Sequence, residues 1–122
     1  MPRKLKNIWR NRRWQGFHEY VDDPRTRLFA ALACSQRIEI LKLLREGEKC
    51  TCDIAPRLRI DISVVSRHLA ILKSLGLVES WKEGVNNYYA VVDERIFDIL
   101  AAASNILKDM AERQRELFDK LR

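Results

Sequence analysis

The segment from Asp61 to Gly76 constrains the fold of this chain more than any other. Between those two residues, Val65, Leu69 and Leu72 recur at spacings of four and three, the single stripe of a half-buried helix. Ser63, Ser66, Arg67, Ala70 and Lys73 fall on the other side. Asp61 has the side chain of a helix N-cap, and Gly76 suits the position just past a helix end, so the spacing predicts a helix over Ile62–Leu75. Two β-prone runs follow at once, Leu77–Lys82 and Tyr88–Val92, around the turn residues Glu83-Gly84-Val85-Asn86-Asn87. They read as a hairpin.

Upstream, Asp23-Pro24 opens a helix carrying Leu28, Phe29, Leu32 and Ala33 at helical spacing. A break near Cys34-Ser35, with Ser35 as N-cap, leads to a second helix with Ile38, Ile40, Leu41, Leu43 and Leu44, which Gly47 ends. A short third helix is expected over Thr51–Leu58, with Pro56 in its first turn or two, which is unusual unless the helix starts late, and Arg59-Ile60 forms the turn into the fourth. From Asp93 onward, Ile96, Leu100, Ala103, Leu107, Met110, Gln114, Leu117 and Leu121 keep a four-three spacing. That stripe is longer than one small domain can cover, and it predicts a dimer interface at Ile96, Leu100, Ala103, Leu107 and Met110. The expected fold is mainly α with a small β-hairpin: a winged helix-turn-helix with a long C-terminal dimerisation helix. Residues 1–20 form a basic arm, 21–92 the winged domain, and 93–122 the dimerisation helix of the same domain.

The chain has 122 residues and a net charge of +6, and the charge is uneven. Arg3, Lys4, Lys6, Arg10, Arg12 and Arg13 stand in the first sixteen residues without an acid, leaving 17 basic and 17 acidic side chains in the rest. Such an arm either meets phosphates or remains a solvated tail. Trp9, Trp14 and Phe17 weigh against pure disorder. No apolar run is long enough for a membrane span, and no apolar stretch follows the basic N-terminus as in a secretory signal. A cytoplasmic protein is expected. Three cysteines, an odd number, read as reduced thiols rather than a disulfide framework. No Gly-rich phosphate loop, nucleophile triad or paired carboxylates suggest catalysis or a required cofactor.

Two short helices, a tight turn and a hairpin suit double-stranded DNA. The second helix of such a pair lies in a major groove about 12 Å wide with its N-terminal residues at the base edges. Here those are Ser63, Val64, Ser66 and Arg67. Arg67 can donate two hydrogen bonds to a guanine, the serines can reach phosphates or bases, and Val64 can touch a thymine methyl. His68, Lys73 and the wing residues Lys82 and Asn86 complete the candidate DNA-binding set, His68 through a phosphate or by packing. The plain alternative is an amphipathic helix with a solvated face. Trp81, Tyr88 and Tyr89 are expected to pack the wing rather than stack on bases.

The stretch from Leu32 to Val92 resembles the ArsR/SmtB family of repressors. Leu32–Leu41 is similar to the family's helix entry, a Leu-Ala-Asp followed by Arg-x-x-Ile-Leu, Cys50-Thr51-Cys52-Asp53-Ile54-Ala55 to its Cys-x-Cys-Asp-Leu element, and Ile62–Leu69 to its Ser-x-Val-Ser-x-His-Leu recognition helix. Gly76-Leu77-Val78, Glu83-Gly84 and Tyr88-Tyr89 are similar to its wing. The resemblance implies a homodimer that binds operator DNA and lets go when an inducer binds. Departures from the pattern are Cys34 in place of an acidic residue, Arg59 in place of a helix-ending glycine, the Trp-containing arm and the long last helix.

Cys50 and Cys52 stand at the start of the third helix, where unpaired N–H groups and Lys49 favour thiolates and a soft ion. The resemblance implies an inducer site there, for arsenite, antimonite, cadmium or lead. Cys34 lies a helix length away and is expected to be a buried structural cysteine, so a third ligand would be water, a small thiol or a partner's His18. A Cys50–Cys52 disulfide as a redox switch is the alternative, although side chains two apart on a helix diverge. A further alternative is a pair that senses nothing, in an interaction module or an architectural DNA-binding protein. A His-containing zinc site on the last helix is not expected, because residues 93–122 hold no histidine.

Overall fold

The computed structural model describes residues 23–121. The basic arm lies outside them. The element order is α1 (Arg25–Leu32), α2 (Ser35–Arg45), β1 (Lys49–Cys50), α3 (Thr51–Leu58), α4 (Ile62–Ser74), β2 (Val78–Glu83), β3 (Asn86–Val91) and α5 (Arg95–Asp119). The helices and the hairpin stand where the hydrophobic spacing puts them. The extra element is β1. It pairs antiparallel with β3, Lys49 opposite Tyr89 and Cys50 opposite Tyr88, so the wing is a three-stranded sheet of order β1-β3-β2 rather than a hairpin alone. Two residues carry no readable period, which is why the sequence pattern gives no sign of this strand.

One core unites the elements. Ile40 and Leu41 of α2, Ile54 of α3 and Val65, Leu69 and Leu72 of α4 are completely buried, with Val78 of β2 and Ile96 and Phe97 of α5 packed among them. The apolar stripe of α4 is therefore shut against α2 and α3, and its polar side faces water. A carboxylate opens both α1 and α5 in one way. Asp23 and Asp93 each accept the backbone N–H two residues on, at 3.0 and 2.9 Å, and each binds the guanidinium of that same residue, Arg25 or Arg95. The Arg95 hydrogen bonds pull the Asp93 carboxyl down to about 2. Asp61 holds the N-cap position of α4 with extended backbone but makes no side-chain cap bond. Cys34, not Ser35, is the extended residue before α2, and Ser35 is its first helical residue.

Both helices of the helix-turn-helix pair end in the same closing geometry. After α4, Gly76 (φ 76°) donates to Lys73 O at 2.9 Å and Leu77 to Leu72 O at 3.0 Å. After α3, Arg59 (φ 56°) donates to Pro56 O and Ile60 to Ala55 O, both at 3.3 Å. This six-to-one and five-to-two pairing is the Schellman motif, and its left-handed residue is ordinarily glycine. Arg59 adopts that conformation despite its Cβ, among the described residues the only non-glycine with positive φ. Pro56 sits inside α3 and removes one helical N–H, so this short helix depends on its closing motif and on burial of Ile54.

The energetic consequence is measurable. A left-handed L-residue costs about 1–2 kcal/mol, partly offset because glycine loses about 0.5–1 kcal/mol more chain entropy on folding. Arg59→Gly is expected to stabilise the protein by about 0.5–1 kcal/mol in urea unfolding, and Gly76→Ala to destabilise it by about 1 kcal/mol. A Cβ at Gly76 meets nothing within 4 Å, so its effect is conformational alone.

Candidate nucleic-acid interface and thiol pair

The first turns of α4 present the side chains that the sequence points to. Ser63, Ser66 and Arg67 are exposed, and Arg67 has no ion-pair partner among the described residues. Val64 is half-buried, so less of it is free than expected for a group meeting a base. Lys82 and Asn86 stand exposed on the wing, beside the turn Gly84-Val85 at its tip. Lys73 lies at the opposite end of α4 from Ser63 and donates to Ser80 Oγ at 2.7 Å. It ties the helix to β2. Trp81 and Tyr88 are cross-strand partners whose rings stack, 6.4 Å between centroids and 20° between planes. They stiffen the wing, as the sequence suggests.

His68 is turned inward to α2. Its Nε2 lies 2.7 Å from Gln36 Oε1, and its Nδ1 lies 3.3 Å from Arg37 Nη1. Of its two expected contacts, a phosphate or packing, the structure provides the packing contact. Arg37 also donates to Ala31 O at 2.6 Å and Ala30 O at 3.3 Å, carbonyls in the last turn of α1. One guanidinium thus joins the C-terminus of α1, α2 and α4. Sequence reasoning places Arg37 in a helix motif without giving it a role. Burial, then Arg37 and Arg67, lower the pKa of His68 from its ordinary value.

Cys50 and Cys52 are brought together, and the structure joins their sulfurs as a disulfide across Cα atoms 5.2 Å apart. This corrects the expected geometric obstacle. Cys50 is not on the helix: it is the N-cap, in extended conformation (φ −88°, ψ 165°), and only Cys52 belongs to α3. No helical turn has to unwind for the sulfurs to meet. Asp53 accepts the Cys50 N–H at 3.2 Å, the side-chain half of a capping box. The potential ligand atoms of Cys50, Cys52 and Asp53 all lie within 4.8 Å of one another. Cys50 is buried and Cys52 exposed. The expected cation beside them, Lys49, is itself paired with Glu46 at 3.6 Å, and Glu46 also holds Arg57 at 2.9 Å. Cys34 is a free thiol of intermediate burial at the other end of α2, so it is less enclosed than a structural core cysteine.

On α5, Ile96 is buried within the protomer's own core, which removes it from the expected dimer surface. Leu100 is half-buried. Beyond it the stripe is open: Ala103 is exposed, as are Leu107 at 65% and Met110 at 52%, with Ile106, Leu117, Phe118 and Leu121 beside or below them. Between this stripe and α2 runs a groove of about 410 Å³ lined by Ile38, Phe97, Leu100 and Leu107. No helix among the described residues is long and apolar enough to cross a membrane.

Comparison with known proteins gives this arrangement its context. Residues 34–80 match the bacterial regulatory protein, arsR family model. An HTH-type transcriptional regulator of Methanocaldococcus jannaschii is 42% identical over 74 residues, which are 60% of this chain and 83% of that protein. A homolog of the cadmium resistance transcriptional regulatory protein CadC from Staphylococcus aureus is 36% identical over 78 residues. The match covers 63% of this chain but only 64% of that regulator's length. Among solved structures, the homodimeric winged helix-turn-helix DNA-binding domain of a Mycobacterium bovis regulator is 30% identical. It superposes with a TM-score of 0.63 over 85% of this chain and 93% of that one. Pattern, fold and relatives agree: the chain belongs to the ArsR/SmtB family of winged helix-turn-helix transcriptional regulators.

Proposed function

We propose that the protein is a dimeric, cytoplasmic repressor that reads an inverted repeat in operator DNA with α4 and is released when a thiophilic ion is held by Cys50 and Cys52. The observation that carries the DNA half is the exposed face of α4, where Ser63, Ser66 and Arg67 project from a helix whose other side is completely buried. Ser63, Val64, Ser66 and Arg67 meet bases or nearby phosphates, while Lys82 and Asn86 of the wing reach the flanking backbone. Lys73 and His68 act behind them, holding the helix to β2 and α2.

Dimerisation through α5 is supported by its open stripe and by the homodimeric state of the Mycobacterium bovis relative. The surface assigned to it is Leu100, Ala103, Leu107 and Met110, without Ile96. Two recognition helices related by a two-fold axis would meet half-sites about one helical turn apart.

For the inducer, the support is chemical. Two sulfurs and one carboxylate converge at the N-terminus of α3, and soft sulfur donors suit arsenite, antimonite, cadmium or lead. The Staphylococcus aureus relative is a cadmium resistance regulator homolog. Cys50 and Cys52 would hold the ion as thiolates, with Asp53 as the nearest further donor, and no other cofactor is needed. Because Cys50 belongs both to the cap of α3 and to β1, a ligand there acts on the helix before α4 and on the wing together. It releases DNA only to the extent that it prefers the non-binding conformation, and a coupling of about 1–3 kcal/mol suffices for strong derepression. A second reading, thiol oxidation, is favoured by the closed Cys50–Cys52 pair. There a disulfide or peroxide oxidant takes two electrons as the two thiols lose their protons and form one S–S bond.

Three outcomes test these assignments. Selection from random duplex DNA should return an inverted repeat, and Arg67→Ala should cost about 1–3 kcal/mol and relax one base position; a sequence-blind profile would sink the repressor reading. Leu107→Glu with Met110→Glu alters side chains already in water within the protomer, so it should yield folded monomers by light scattering, and a persisting dimer rejects the α5 interface. In a DNA-release titration with each ion under reducing conditions, and separately with an oxidant, Cys50→Ser or Cys52→Ser should abolish release and leave DNA binding intact. Cys34→Ser should not. Release by oxidant alone selects the redox reading, and an unchanged response in the double serine variant removes the pair from sensing.

A further inference from the structure

We propose that His68 is a positioning residue for the recognition helix, which it ties to α2 only as a neutral imidazole, so that its protonation shifts the seating angle of α4 and weakens DNA binding. The inference rests on the reading of α4 as the DNA-contacting helix. It starts from donor and acceptor chemistry. A guanidinium has five N–H donors and no acceptor, so the Nδ1 that faces Arg37 Nη1 at 3.3 Å has to offer its lone pair. The ring proton is then on Nε2 and is donated to Gln36 Oε1 at 2.7 Å. Both ring nitrogens are used, each in one role, and the tautomer follows from the partners.

Arg37 cannot turn aside freely. Its Nε and Nη2 are committed to Ala31 O at 2.6 Å and Ala30 O at 3.3 Å in the last turn of α1, where Ala30 O also accepts the Ala33 N–H at 3.3 Å. A proton arriving on Nδ1 would place a donor against a donor and a cation against a cation. The charges acting on His68 are both positive: Arg37 from α2 and Arg67 from α4 itself. Gln36, also from α2, is neutral, α1 contributes backbone carbonyls to Arg37, and among the described residues no carboxylate bonds the imidazole. Burial and these two arginines lower its pKa from 6.5. Between 6.5 and that lower value the unfolded chain binds more protons than the folded one, so stability of the seated helix is complete above about pH 6.5 and falls as pH drops through that window. His68 lies one residue after Arg67 and two after Ser66, so movement of its backbone moves the proposed base-contacting residues.

The sign of the effect separates this role from a phosphate contact. A histidine on a phosphate gains affinity when it is protonated; a histidine on Arg37 loses it. The experiment measures fluorescence anisotropy of the selected operator between pH 7.5 and 5.5 at fixed salt, in the full chain with His18→Gln, which removes the only other histidine. His68→Gln, which cannot take a proton there, is the reference. If acid leaves a third to a tenth of the molecules with α4 seated, affinity falls about three- to tenfold relative to His68→Gln. Equal pH slopes, or a parent that binds more tightly in acid, overturn the proposal. A second readout needs no DNA. Nitrogen-15 spectra of the imidazole should show the Nε2–H tautomer at pH 7.5, and the amide resonances of Val64–Ala70 should shift together with its titration. An Nδ1–H tautomer, or a titration that leaves those amides unmoved, also overturns it. Failure of the parent to bind any DNA at pH 7.5 would count against the repressor reading instead, and the nitrogen spectra would still decide the clamp.

Discussion

Burial of one face of α4 is the constraint on which the rest of the structure depends. Val65, Leu69 and Leu72 are completely removed from water, against the equally buried Ile40, Leu41 and Ile54. Each such side chain contributes roughly 1.5–3 kcal/mol on transfer from water, a large share of the net stability of a small domain. The helix can therefore rotate or slide only by exposing that face. Its outer residues inherit a fixed orientation from the packing beneath them, which the proposed reading of base edges requires.

Polar contacts at two points and a tight turn at a third trim that orientation. At its C-terminal end α4 is closed by Gly76 and tied to β2 through Lys73 and Ser80. In the middle it is tied to α2 through His68, and through Arg37 to the end of α1. At its N-terminus it is joined to α3 by a turn whose left-handed residue is Arg59. The apolar face sets the register of the helix, and these bonds, which are directional, set its angle. Each polar tie is weak beside the core, which makes it a suitable place for a chemical signal to act.

The strand β1 changes what the cysteine pair can do. From spacing alone, the pair belongs to the start of a helix and acts through that helix. In the structure Cys50 is also a strand residue opposite Tyr88, whose ring stacks on Trp81. The cap of α3 and the wing therefore share one buried residue. Its sulfur therefore has a short covalent and hydrogen-bonded route, along regular elements, to both parts of the proposed DNA-reading surface.

Much of this was legible in the residues because helices and strands impose periods on their apolar side chains. The four-three spacing of α4, the heptads of α5, Gly76 and the turn residues of the wing all follow from local geometry, and so did the fold class and the exposed face of Ser63, Ser66 and Arg67. What the sequence could not settle were contacts between residues far apart in the chain. The pairing of two-residue β1 with β3, the extended backbone of Cys50 that lets it meet Cys52, and the burial of Ile96 inside the protomer rather than at a dimer surface have no local period. The same holds for His68 facing Gln36 and Arg37, some thirty residues away. Periodicity reports which side of an element is apolar; which partner that side, or a single polar atom on it, finally meets is decided only when the elements pack, because hydrogen bonds and buried contacts depend on three-dimensional position and not on spacing along the chain.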